Sequence, residues 1–268
     1  MKIAFLWHWN RASEIYPLWR DGLRAAMEII GQYHEVKWYL DESIPPDTFD
    51  AYLIWGDSHC AAIDKIAEYK GKKGICLTTN PYNIENLKKL DVVFCESTPV
   101  YEEARMFGLH AVKAFGTDTH FFSPNPKCIK DIEYFYPATF SPWKRQHVLA
   151  HLGKKLTCIG TVQPDGLEEL GACIKNKVKI FKGYLSAEDL LQYYRRTKRM
   201  IIPAIHGSER TVLEAMSMGI LPQVEEENKK AHSYIEEFQK SGFKTPREFV
   251  CANYSAEKYA QTMLKGLK

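Results

Sequence analysis

The stretch Ile201-Ile-Pro-Ala-Ile-His206-Gly-Ser-Glu-Arg-Thr-Val-Leu-Glu214-Ala-Met-Ser-Met-Gly219 carries the strongest chemical signal in the chain. An apolar strand ends at a proline, a small polar loop follows, and the pattern predicts a helix starting near Thr211. Free backbone N–H groups at a helix start form a site for a phosphate. Gly207 and Ser208 let a ligand approach the backbone closely. Glu214, in the first turn or so of the helix, can accept hydrogen bonds from hydroxyls such as those of a ribose. The same residues also have a purely structural reading. Ser208 or Thr211 would cap the helix, and Glu209 and Glu214 would complement its dipole. The residues alone leave both readings open.

The elements that must position this stretch follow from hydrophobic patterning. Up to about residue 115, short apolar runs at 2–7, 35–40, 51–55, 74–78, 92–96 and 111–115 alternate with helical periodicity at 16–30, 61–69 and 101–107. Such alternation predicts a parallel sheet with right-handed crossovers. A turn-rich segment with two prolines spans 116–126, and the pattern then restarts. Strands are expected at 134–140, 156–160, 178–181, 200–203 and 221–224, and helices at 146–152, 167–175, 187–198, 211–218 and 256–267. Two successive α/β units imply two Rossmann-like domains facing each other across a cleft, here 1–118 and 119–268, with the last helix free to pack back on the first domain. In open α/β sheets, ligands bind beyond the carboxyl ends of the strands, and with two domains the cleft is the natural site.

Composition narrows the function classes. The length of 268 residues with 45% hydrophobic and 26% charged residues suits two folded domains that need no staples. A net charge of +3 is too small to announce a nucleic-acid binder. The local cluster Arg195, Arg196, Lys198 and Arg199 reads as a helix C-terminus favoured by the macrodipole, or as a contact for an anionic partner. Seven cysteines without a CxxC argue against a disulfide framework or zinc knuckle and for reduced thiols in a cytoplasmic protein. The N-terminus lacks a secretory pattern, and no run approaches the roughly 20 apolar residues of a membrane span. There is no D-x-D triplet, no G-x-G-x-x-G after the first strand, no P-loop and no HExxH, so no metal site is predicted.

Several segments resemble family-4 GT-B glycosyltransferases. Leu213-Glu214-Ala-Met-Ser-Met-Gly219 is similar to the family's LEAMA-x-G, in which a Glu follows an earlier acidic residue by eight positions. His206 stands at that earlier position. Phe115-Gly-Thr-Asp-Thr-His-Phe-Phe-Ser-Pro124 resembles the linker G-V-D-x-x-x-F-x-P, and Ala138-Thr-Phe-Ser-Pro-Trp-Lys144-Arg145 resembles the G-R-L-x-P-x-K-G loop, with Thr139 replacing its Arg and Arg145 its Gly. Val178-Lys-Ile-Phe-Lys-Gly183-Tyr184-Leu-Ser-Ala-Glu-Asp-Leu190 is similar to V-x-F-x-G-x-v-x-x-e-x-L. These matches fall in order over about 115–224; the N-terminal half matches weakly.

The resemblance implies a GT-B fold and transfer of a sugar from a nucleotide-diphosphate sugar, a UDP-sugar above all, to an acceptor hydroxyl, retaining and without metal or other cofactor. It places the donor diphosphate at Lys144, with Arg145 able to supply the charge Thr139 lacks. It puts the nucleobase against Gly183 and Tyr184, the ribose on Glu214, and the rest of the donor along His206, Gly207, Ser208, Arg210, Thr211 and Val212. The catalytic set is His59, Lys144 and His206, His59 being the strand-end histidine of Trp55-Gly-Asp57-Ser-His59 that relatives place near the reacting sugar carbon. Read structurally, that segment is a surface loop or a helix cap by Asp57 or Ser58. Trp9, Asn10 and Arg11 of the first strand-to-helix loop, with Asp57, are the acceptor-binding candidates. The expected acceptor is a glycan, a lipid-linked sugar or a small molecule. Glucosylation of hydroxymethylated bases in viral DNA and a non-catalytic nucleotide-sugar-binding protein are the alternatives.

Overall fold

The computed structural model describes residues 1–8, 12–17 and 20–268. The chain divides into two compact units, Met1–Gly116 with Tyr254–Lys268, and Thr117–Asn253.

The first unit runs β1 (Lys2–Trp7), α1 (Ala12–Ile15), α2 (Gly22–Gly31), β2 (Glu35–Leu40), β3 (Ala51–Gly56), α3 (Ala62–Ile66), β4 (Lys72–Leu77), α4 (Ile84–Leu87), β5 (Val92–Cys95), α5 (Thr98–Met106) and β6 (Ala111–Lys113). Its six strands are all parallel, in the order β2-β1-β3-β4-β5-β6. A parallel sheet covered on both faces needs strands apolar on both sides. β1 meets that need: Ile3, Phe5 and Trp7 enter one core with α2, while Ala4 and Leu6 enter the other with α3 and α5. The helix expected over 16–30 begins only at Gly22, as α2, with the short α1 lying before the expected span. Pro17 lacks the N–H a continuing helix needs, and Asp21 starts α2 afresh by accepting from the Arg24 N–H at 3.0 Å.

The second unit contains β7 (Ile132–Pro137), α6 (Gln146–Leu149), β8 (Leu156–Gly160), α7 (Leu167–Lys175), β9 (Lys179–Lys182), α8 (Ala187–Arg196), β10 (Thr197–Ile202), α9 (Glu209–Ser217), β11 (Gln223–Val224), α10 (Lys229–Ser241) and α11 (Pro246–Asn253). Its five strands are parallel, ordered β11-β10-β7-β8-β9. α10 and α11 have no counterpart among the predicted elements. α10 is charged along most of its length and buries little beyond Lys230, Ala231, Tyr234 and Ile235, so its apolar stripe is faint in sequence. In the basic cluster only Arg195 and Arg196 end a helix; Lys198 and Arg199 lie in β10. Arg196 bridges Asp131 through two bonds of 2.6 and 2.8 Å, and Lys198 bridges Glu133 at 3.0 Å.

The segment after Gly116 is tied within the second unit. Asp118 accepts from the His120 and Phe121 N–H groups, and Arg247 of α11 donates to the carbonyls of Thr119, Phe122 and Ser217. The final helix α12 (Ala256–Gly266) joins the first unit, where Tyr259, Ala260, Met263 and Leu267 share a core with Leu23, Met27 and Ile30 of α2. Among the described residues no helix is long and apolar enough to cross a membrane. All seven cysteines are free thiols.

Met263 is fully buried in that core. Met263→Ala is expected to cost about 2–5 kcal/mol by transfer and cavity terms. Chemical denaturation followed by a probe in the first unit will measure it; a loss under about 1 kcal/mol would mean α12 adds little to that core.

Candidate functional site

Three loops of the second unit leave the carboxyl ends of parallel strands: 138–145 after β7, 183–186 after β9, and 203–208 after β10. The loop after β10 turns into α9 through two consecutive left-handed residues, Gly207 (φ +73°) and Ser208 (φ +78°). In that conformation Ser208 makes no cap bond to its own helix. Its hydroxyl instead accepts from Lys144 Nζ at 3.0 Å, and the same ammonium donates to the His206 carbonyl at 2.9 Å. A Cβ on Gly207 would stand 2.6 Å from Lys144 Nζ, so glycine leaves the space the lysine occupies. α9 begins at Glu209, two residues before the predicted start, because Ser208 rather than Thr211 flanks it.

The two loops are fastened together by main chain as well. The Ile205 N–H donates to the Trp143 carbonyl at 3.0 Å, and the buried Tyr136 hydroxyl donates to the Lys144 carbonyl at 3.0 Å. Arg145 is left-handed (φ +53°), a conformation in which glycine is at ease. It pairs with Glu227 at 3.3 Å, so its charge is already partly matched. Thr139 shares a hydrogen bond with Thr161 at 3.1 Å, and its carbonyl receives the buried Gln146 amide at 2.9 Å.

Beneath the loop, Asn228 is buried and donates to the carbonyls of Ala204 (3.1 Å) and Gly207 (2.7 Å), while its own oxygen caps α10 at Ala231. Glu209 and Lys230 form an ion pair at 3.2 Å with both side chains under one-tenth exposed. Removing one partner of such a buried pair typically costs about 3–5 kcal/mol. His206 is exposed at the loop crest. Partial desolvation, then the nearby Lys230 and Lys144 ammonium groups, lower its pKa, with Glu209 opposing, so the imidazole is neutral at pH 7.

Glu214 is buried one turn into α9. The Tyr194 hydroxyl donates to its Oε2 at 2.7 Å, and Arg210 Nε lies 3.6 Å from its Oε1. Burial, and then the adjacent carboxylate, push the Tyr194 phenol up, so it stays a donor. Thr211 and Val212 follow in the same first turns, Val212 closing its N–H on the Ser208 carbonyl at 3.0 Å. Gly183 (φ +124°) donates to the Gly160 carbonyl at 3.0 Å at the end of β9, and the next residue, Tyr184, is 61% exposed. The second unit therefore brings Lys144, Arg145, His206, Gly207, Ser208, Arg210, Thr211, Val212 and Glu214 to adjoining loops and one helix start, with Gly183 and Tyr184 at the same sheet edge.

In the first unit, Asp57 and His59 follow the end of β3. Asp57 accepts from the His59 N–H at 2.8 Å, and the buried Ser58 hydroxyl accepts from the Asn83 N–H at 3.0 Å. The His59 side chain is exposed. Trp9, Asn10 and Arg11 lie outside the described residues. Among the described residues no group of three or more His, Cys, Asp or Glu side chains is placed to hold a metal ion.

No protein-family model matches the chain, and no curated protein matches it. Solved structures do. Anabaena HepE, in complex with UDP and glucose, superposes with a TM-score of 0.66 at 13% identity, over 100% of this chain and 99% of that one. AviGT4, a glycosyltransferase involved in avilamycin A biosynthesis, gives 0.64 at 13% identity over 100% and 97%. The UDP-GlcNAc 2-epimerase of Neisseria meningitidis, bound to UDP-GlcNAc, gives 0.59 at 8% identity over 100% and 99%. The fold is GT-B. Within this GT-B chain, sequence reasoning missed Asn228, Lys230, Tyr194 and Gln146. Asn228, Lys230 and Tyr194 act through contacts with residues of distant elements and Gln146 through the loop just before it, and none carries a local motif.

Asn228→Ala removes a helix cap and strands two loop carbonyls, an expected loss of about 2–4 kcal/mol. Tyr194→Phe deletes one hydrogen bond to a charged group without leaving a cavity, an expected loss of about 1.5–3 kcal/mol. Urea titrations of both variants will check these values, and a neutral Asn228→Ala would show that the loop stands without its tether.

Proposed function

We propose that this chain is a glycosyltransferase that takes its sugar from a nucleotide-diphosphate sugar, a UDP-sugar first among them, and passes it to an acceptor hydroxyl. The observation that carries this reading is the start of α9: a helix end left uncapped by its own N-cap residue, with an ammonium group set beside it and a buried carboxylate one turn on. Helix N–H groups and Lys144 suit a diphosphate. Glu214, its Oε2 held by Tyr194 and its Oε1 3.6 Å from Arg210 Nε, is the carboxylate placed to accept from a ribose hydroxyl. Gly183 and Tyr184 would border the base. HepE with UDP and glucose, and the epimerase with UDP-GlcNAc, support the choice of donor.

As the bond from sugar to diphosphate breaks, negative charge grows on the leaving phosphate. Fixed N–H groups and Lys144 then stabilise the transition state more than the ground state. Lys144 is already oriented by Ser208 and the His206 carbonyl, so little reorganisation is needed. Neutral His206 would face the sugar as a hydrogen-bonding group, not as a charge. We propose that transfer proceeds with retention, without a metal or other cofactor, in the cytoplasm. His59 would act near the reacting carbon, with Trp9, Asn10, Arg11 and Asp57 toward the acceptor, a glycan, lipid-linked sugar or small molecule. Acceptor choice rests on the family resemblance alone.

The likeness to an epimerase favours one second reading: a nucleotide-sugar epimerase using the same donor site. Product analysis separates the two, since transfer consumes the acceptor and releases free UDP, whereas epimerisation returns an isomeric UDP-sugar.

Lys144→Ala and Glu214→Ala are each expected to lower kcat/KM with the preferred nucleotide sugar by about a hundredfold, the loss of roughly 3 kcal/mol of transition-state stabilisation. A thermal-shift panel of UDP-, GDP-, ADP-, CMP- and dTDP-sugars identifies that donor. Wild-type rates in both variants would remove the assignment of this site.

A further inference from the structure

The second unit holds a depression of about 370 Å³ at the amino-terminal half of β10 and the carboxyl end of α9, apart from the loops described above. It exists because β11 is short. β11 pairs only with Ile201 and Ile202, so the first four residues of β10 have no strand beyond them on that side. The volume lies within the range of small-molecule sites, about 300–1,000 Å³. Met200 and Ile220, both nearly buried, contribute apolar surface to its lining.

The polar part of the lining is of one sign: Lys130, Lys198 and Arg199, with no carboxylate among the lining residues. Lys198 is matched by Glu133 at 3.0 Å. Arg199 donates to the Tyr134 hydroxyl at 3.3 Å, with its guanidinium 5.9 Å from the ring centroid. Among the described residues neither Arg199 nor Lys130 is ion-paired with a carboxylate. The end of α9 does not account for these two charges. Gly219 (φ +78°) closes that helix with a Schellman motif, in which the Ile220 N–H bonds the Ala215 carbonyl (2.9 Å) and the Gly219 N–H bonds the Met216 carbonyl (3.0 Å). Those helix-end carbonyls are satisfied by main chain.

We propose that this depression binds a phosphorylated, hydroxyl-bearing small molecule. Arg199 and Lys130 take the phosphate, and the Tyr134 hydroxyl and the Gln223 amide take hydroxyls. Glu133, paired with Lys198, also feels the Arg199 charge but makes no salt bridge to it. Two cations held off a direct ion pair suit a dianion better than a single carboxylate, and the guanidinium fork matches phosphate oxygens. The proposal is independent of the donor site at Lys144.

Isothermal titration with glucose 6-phosphate, glucose and inorganic phosphate tests it on the intact chain. Glucose 6-phosphate is expected to bind with a Kd below about 1 mM, tighter than inorganic phosphate, with glucose silent in that range. Arg199→Glu and Lys130→Glu, both exposed positions, are each expected to weaken binding by about tenfold or more. Lys144→Ala should leave it within about twofold, since it lies in a different loop. Absence of binding, indifference to both charge reversals, or inorganic phosphate binding as tightly as the sugar phosphate would overturn the proposal. So would loss of binding in Lys144→Ala, which would place the phosphate at the start of α9.

Discussion

A helix that keeps its first N–H groups uncapped by its own flanking residue must have its approach held from elsewhere. That constraint governs the second unit. With Ser208 left-handed, the 203–208 loop cannot stabilise itself through the usual serine cap. Its shape is set from three directions: Asn228 from α10 below, the Trp143 carbonyl from the neighbouring loop, and Lys144 across the crest. Two of these ties come from the loop after β7 and one from the start of α10, and so the loop is only as well defined as the packing of those two segments. A buried Glu209–Lys230 pair at its foot adds a geometric requirement, because neither charge can be desolvated without the other.

Parallel topology does the remaining positioning. All five strands of this sheet point the same way, and every loop that carries a candidate residue therefore emerges on one edge. Three segments far apart in sequence, around Lys144, Gly183 and His206, need no long-range signal to arrive there; the alternation of strand and helix suffices. The second carboxylate, Glu214, is different in kind. Its orientation depends on Tyr194 of α8, a contact made in the interior and not at the edge.

What could be read from the sequence divides along the same line. Strands β1, β2 and β8 are legible to the residue, since runs such as Lys2–Trp7 are apolar on both faces as a covered parallel strand must be. The 201–219 stretch announces its strand, loop and helix through Pro203, Gly207 and Gly219. The pattern points to Thr211, two residues past the true start of α9, because a left-handed non-glycine, Ser208, has no clear sequence mark. Asn228 and Lys230 were invisible for a related reason: they look like an ordinary polar helix start, and only the fold reveals that they are buried under the loop. In the basic run after α8, opposite charges at Asp131 and Glu133, some 65 residues earlier, absorb Arg196 and Lys198. Proximity in sequence suggests one patch of four charges; these carboxylates take up two of them and leave Arg195 and Arg199 on a carbonyl and a phenol.

The return of α12 to the first unit bears on the order in which the chain can mature. A contiguous unit can complete its core as soon as its last residue is made, and domains generally fold as they emerge. Thr117–Asn253 is such a unit. The first unit is not, because the side chains of Tyr259, Met263 and Leu267 that fill its core beside α2 are synthesised after the whole of the second. During translation the earlier half must wait, its α2 face open, while the later half is free to settle. The unit begun first is thus the one finished last, and exposure of that unfilled face to chaperones or to other chains lasts as long as the ribosome takes to make Thr117–Asn253.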